Sequence, residues 1–181
     1  LQPFFNKKMY LPLGSDSEYG FSARGFWYPV INVIKTQATG YFRIGITEDI
    51  MFAAKGSLGA SPFVLSAPIS FDLYYTEDRA VRSGYLREEL EFSNFGFASA
   101  EFRYNFFSYR IPPLFDVNTH VFAFTDLATN MDVGRDFEFL DAFGVGFRIL
   151  FQNPIFAYFT ISYGINNLGD GRFFFCGTAG Y

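Results

Sequence analysis

The chain has 181 residues and a formal charge of −4, and it is 22 % aromatic but only 18 % charged, where a soluble domain carries about 25 % charge. The acidic balance argues against nucleic acid as a partner, and a single cysteine, Cys176, excludes an internal disulfide framework. Lys, Arg, Gln, Asp or Glu interrupts every apolar run before it reaches the roughly 18 residues of a spanning helix. The spanning solution that remains is a closed β-barrel, whose backbone groups pair between strands.

The opening "LQPFFNKKMY" lacks the long apolar run of a signal peptide and reads as a mature or trimmed form. Residues 1–18 are expected to be a short periplasmic lead, and the barrel to occupy 19–181. A first strand is expected over 19–31. The second, from residue 34, alternates cleanly. Ile34, Thr36, Ala38, Gly40, Phe42, Ile44 and Ile46 share one face, and Lys35, Gln37, Thr39, Tyr41 and Arg43 share the other, because neighbouring strand residues point to opposite faces. Next, Ile50, Phe52, Ala54 and Leu58 oppose Met51, Lys55 and Ser57. A long connection follows over 61–94.

Beyond it, Ala98, Ala100, Phe102, Tyr104 and Phe106 oppose Ser99, Glu101, Arg103 and Asn105. "SYRIPPLFDVN" (108–118) holds a Pro-containing connection, expected near 108–117. A weaker strand over 118–127 turns Val121, Ala123 and Thr125 one way, and His120, Phe122, Phe124 and Asp126 the other. Phe143, Val145, Phe147, Ile149 and Phe151 then face lipid while Gly144, Gly146 and Arg148 face inward. "QNP" turns the chain, a strand over 155–163 follows, "INNLGDG" turns it again, and "RFFFCGTAGY" is the last strand.

Eight strands result, an even count as in bacterial single-chain barrels. The fold class is therefore all-β, a transmembrane antiparallel up-and-down β-barrel. Connections at 31–34, 61–94, 128–136 and 165–170 would be extracellular, and those at 47–49, 108–117 and 152–154 periplasmic. A β-sandwich also alternates, but here the strands are long and charges lie opposite aromatics throughout. His120 and Asp126 share a face six residues apart, roughly 20 Å along an extended strand, too far for a catalytic pair. With no nucleophile or metal-ligand constellation visible, an enzyme is not expected, nor is a cofactor.

The residues resemble the C-terminal strands of the BamA/TamA superfamily of outer-membrane barrels, the bacterial surface-antigen barrel. "LSAPISFDLYYTEDRAVRSGY" (65–85) is similar to the family's long extracellular loop ending in Val-Arg-Gly-aromatic. "FASAEFRYNFF" (97–107), "VFAFTD" (121–126) and "FGVGFRILF" (143–151) are similar to the strands that follow it in family order. The aromatic end, with Phe173, Phe175 and Tyr181, is similar to the family's C-terminal assembly signal. One departure stands out, since Ser83 lies between Arg82 and Gly84 where the family runs Arg-Gly.

The resemblance implies that the loop folds back into the lumen. Arg82, Gly84 and Tyr85 would be anchored there, with Arg82 meeting Asp126, Glu101 as second candidate, and Arg148 on the neighbouring strand. It also implies a location in the outer membrane of a diderm bacterium and a role in outer-membrane protein assembly, translocation or membrane remodelling. Outer-membrane lipid and a client polypeptide would then be partners. A passive pore or structural barrel is the alternative. Family barrels are larger and carry periplasmic repeat domains, for which this chain has no room. Three outcomes follow: a homodimer in which each copy supplies half of a larger barrel, a small barrel closed on itself, or a fragment of a longer protein.

Overall fold

A computed structural model describes residues 3–12, 17–28, 33–61, 71–72, 81–85, 87–111, 115–132, 136, 138–152 and 156–180. The strands are β1 (Pro3–Pro12), β2 (Ser17–Tyr28), β3 (Val33–Gly45), β4 (Ile50–Ala60), β5 (Phe71–Asp72), β6 (Glu91–Phe92), β7 (Asn94–Ile111), β8 (Phe115–Asn130), β9 (Phe139–Gln152), β10 (Phe156–Ile165) and β11 (Gly171–Gly180). Nine of them form one antiparallel sheet in the order β1-β2-β3-β4-β7-β8-β9-β10-β11. Strands β5 and β6 pair separately within the long connection, beside a single 3-10 turn at Arg87–Leu90. Sheet neighbours are consecutive in the chain except at β4–β7, where that connection intervenes.

All eight expected strands are present, and β1 adds a ninth. Within the segment expected to be a lead, Pro3–Pro12 pairs along β2 with Met9 opposite Phe21 and Leu11 opposite Tyr19. The adjacent lysines Lys7 and Lys8 place one charge on each parity, and this masks the alternation in the sequence. A closed barrel was also expected. The observed sheet is open, with β1 and β11 at opposite edges rather than paired to each other.

The Pro-containing connection proves shorter than its sequence suggests. The β7–β8 ladder runs on to Arg110↔Asp116 and Ile111↔Phe115, inside the segment expected to be a connection. A register slip between Asn105 and Phe107 accommodates the extra length. Phe106 and Phe107 are consecutive yet both half exposed, the result expected where a bulge puts two residues opposite one.

The two faces of the sheet differ sharply. In β8, Val121 and Leu127 are exposed, while Phe122, Phe124 and Ala128 are buried and Asp126 is 0 % exposed. Phe102, Phe143, Val145, Phe159, Phe173 and Phe175 extend the exposed apolar face across the sheet. Described residues of the long connection pack on the opposite face, over β7, β8 and β9. Val81, Tyr85, Leu90 and Phe92 from that segment pack on Phe95, Phe97, Ala128, Leu140 and Ala142 in one cluster. Full burial of each large side chain there contributes about 1.5–3 kcal/mol, which holds the connection against the sheet and positions the residues between Val81 and Tyr85.

Candidate functional site: an arginine locked on the covered face

Register sets out the site before any side chain is considered. Ser99 pairs with Asp126 and Glu101 with Phe124, so all four residues project to the covered face from adjacent positions on β7 and β8. Arg82 enters this patch from the connection. Its Nε donates to Asp126 Oδ2 at 2.8 Å, its Nη2 to Asp126 Oδ1 at 2.8 Å, and its Nη1 to Glu101 Oε1 at 2.7 Å. The paired bonds to Asp126 are the fork geometry a guanidinium offers a carboxylate.

The aspartate is fully satisfied despite complete burial. Oδ2 also accepts the Arg82 backbone N–H at 3.1 Å, and Oδ1 accepts the Ser99 hydroxyl at 2.7 Å. Ser99 Oγ in turn accepts from Arg82 Nη2 at 3.2 Å, closing a ring of three residues. With four acceptor positions filled, the carboxylate recovers what it loses by leaving water. The guanidinium also lies over the Phe124 ring, 3.7 Å from its centroid, an attraction that strengthens when the cation is desolvated.

Glu101 is shared. Its second oxygen accepts from Arg103 Nε at 2.7 Å, and Arg148 Nη1 lies 3.6 Å from that same oxygen. Arg148 also donates from Nε to Thr160 Oγ1 at 3.0 Å and stacks over Phe122 at 4.9 Å. Three arginines therefore converge on one glutamate.

The backbone around Arg82 is fixed as well. Ser83 N–H donates to Val81 C=O at 3.0 Å, a three-residue turn centred on Arg82. The extra serine thus follows the turn rather than disrupting it, although its buried Oγ has no hydrogen-bond partner among the described residues. Gly84 N–H donates to Asp170 C=O at 3.1 Å, and a Cβ at Gly84 would meet the Asp170 backbone at 2.7 Å. Gly164 on β10 faces the Arg82 carbonyl so closely that a Cβ there would collide with it. Tyr85 packs at the strand ends, its OH 3.3 Å from the Asp141 N–H it accepts and 3.4 Å from Asp141 Oδ1. Burial, together with the neighbouring Asp141 charge, pushes the Tyr85 phenol above its ordinary range, so it stays a neutral donor.

Of the residues singled out from the sequence, Arg82, Glu101, Asp126 and Arg148 come together here, with Gly84 and Tyr85 on the flank. Phe173 and Phe175 do not join them: they lie exposed on β11, on the other face. Tyr181 lies outside the described residues. Arg103, which ends the Glu-aromatic-Arg step of the strand over 97–107, also belongs to the cluster, as do Ser99 and Thr160, for which the only signal is parity, since each shares the inward face of its strand. Gly164 is invisible to that test, because its importance comes from a contact with a distant segment. No family model matches the chain, no curated protein matches it, and no solved structure matches it.

Proposed function

We propose that the chain is a short outer-membrane barrel protein of the BamA/TamA type, acting without covalent chemistry in the assembly or translocation of outer-membrane polypeptides. One observation carries the reading. Arg82, at the end of the long connection, is held bidentately by Asp126 and by Glu101 on the two strands that follow it, the arrangement the resemblance implies. The exposed aromatic face supports a lipid-facing wall, as contiguous apolar surface of this extent marks a membrane or partner contact.

The open sheet bears on the oligomer. An unpaired strand edge is not tolerable in lipid, so β1 and β11 require closure, and a second copy of this chain is the proposed partner. In that arrangement the seam between copies is the deformable element offered to a client strand.

Liposome flotation followed by an insertion assay tests the proposal. The purified chain floats with vesicles and speeds insertion of a small test barrel over matched empty vesicles. Flotation without any acceleration overturns the assembly role, and a chain that stays at the bottom of the gradient overturns the membrane reading altogether.

A further inference from the structure

Four consecutive residues of the connection, Arg82 to Tyr85, bind two parts of the sheet at once. In register, Glu101, Phe124, Gly144 and Gly164 form one row from β7 to β10. Arg82 lies along that row. Its carbonyl faces Gly164, its guanidinium stacks on Phe124, and its N–H groups reach Asp126 and Glu101. The Phe124 ring is in turn seated over bare backbone, since a Cβ at Gly144 or Gly164 would come within 2.8 or 2.9 Å of its Cζ.

The residues just after the arginine hold the β10–β11 turn. Gly84 N–H and Asn166 N–H donate to the same acceptor, the Asp170 carbonyl, each at 3.1 Å. Asn166 organises that turn: its Oδ1 accepts the Leu168 N–H at 3.1 Å and the Asp170 N–H at 2.8 Å, and its carbonyl accepts the N–H of Gly169, whose φ is +91°. Tyr85 then links the turn to β9, its OH 3.5 Å from Asn167 Oδ1 and 3.4 Å from Asp141 Oδ1. Glycine stands on each side of the close approach, Gly84 in the connection and Gly164 in the strand, where a side chain on either would collide with the opposite backbone. Only Ser83 separates the residue whose carbonyl meets Gly164 from the one whose N–H meets Asp170. Neither contact has the slack to persist if the other moves.

We infer that Arg82–Tyr85 is an interlock, which makes the seating of Arg82 at Asp126 and the folding of the β10–β11 turn conditional on each other. Its buried end is the arginine, and its accessible end is the turn, exposed from Asn167 to Asp170. Rearranging the turn from outside therefore releases the connection from the sheet without access to the buried carboxylate. Coupling of this kind is reciprocal, and a contiguous run of backbone and side-chain contacts carries it here. Nothing in it depends on lipid or on closure of the sheet.

Hydrogen exchange of individual backbone amides in the full chain tests the linkage from both ends. R82Q removes the fork but leaves the backbone, and should speed exchange at Leu168 and Asp170, whose N–H groups donate to Asn166 Oδ1, by about fivefold or more. Amides of the β2–β3 ladder should keep their rates. N166A frees the turn and should speed exchange by a similar factor at the Arg82 N–H, which donates to Asp126 at the other end of the interlock. An R82Q chain whose turn amides keep wild-type rates, or an N166A chain whose Arg82 amide does, overturns the interlock. So does a rise of equal size throughout the sheet, the mark of lost global stability rather than of coupling. Where R82Q does not fold, N166A and S99A decide by the same criteria, since S99A keeps the arginine and both carboxylates and removes one hydroxyl from the ring.

Discussion

The middle of the sheet and its edges are built differently. Strands β7, β8 and β9 run to 18, 16 and 14 residues, are paired on both sides, and carry the long connection on one face. Strands β1, β10 and β11 have 10 residues each, and β11 leaves Gly171, Arg172, Phe173 and Phe175 exposed. The central strands alternate in polarity, and so do β10 and β11. They differ in that the centre has a second layer, and in that layer a buried carboxylate finds all its partners. Side-chain order is concentrated where the connection lies, and β1 and β11 are each paired on one side only.

The comparison breaks first at Asp126. Removing it by Asp126→Ala strands Arg82 in a buried site, and loss of one partner of a buried pair costs about 3–5 kcal/mol. Urea unfolding in detergent should show that loss, and the Arg82→Gln/Asp126→Ala double variant should lose less than the two single changes combined. A loss below 1 kcal/mol, in the range of about 0–1 kcal/mol typical of a surface pair, would place the centre on a par with the edge.

Gly164→Ala tests the same region from the opposite wall. Its Cβ collides with the Arg82 carbonyl, and overpacking of this kind costs about 1–3 kcal/mol. At the edge, Phe173→Ala removes a ring whose centroid lies 4.8 Å from that of Tyr163. Such a pair contributes about 0.5–1.5 kcal/mol beyond its buried area, so the same unfolding measurement should register a smaller change than at Asp126. Ser83→Ala has the opposite sign. It deletes a buried hydroxyl with no partner among the described residues, and a gain of up to about 1 kcal/mol is expected; a loss would mean that the hydroxyl is satisfied.

Much of this was legible in the sequence where the physics is local. Alternation of period two located β2 through β4 and β7 through β11, because each residue declares its face by its own polarity. It failed at Lys7-Lys8, where neighbouring charges cancel the rhythm, and at Phe106-Phe107, where a bulge resets it. The Arg82 contacts are another matter. Nothing in periodicity pairs a loop residue with a strand residue 44 positions away, and only the resemblance pointed to Asp126. Ser99 was visible as a charged-face position but not as the hydroxyl that closes the ring, and Gly164 gave no signal, since the need for a bare backbone arises only once the segment has folded over it.

The ninth strand has a directional consequence. In a meander that reverses at every step, first and last strands point the same way when their number is odd. Rolled up whole, the sheet would bring β1 alongside β11 in parallel, with slanted bonds and slightly less stability per residue. With β1 set aside, β2 would meet β11 in the antiparallel sense that every other junction of this sheet uses. Two copies joined head to tail face the same choice at each junction, so the position of ten residues at the margin decides whether the ring is uniform or carries a weak joint.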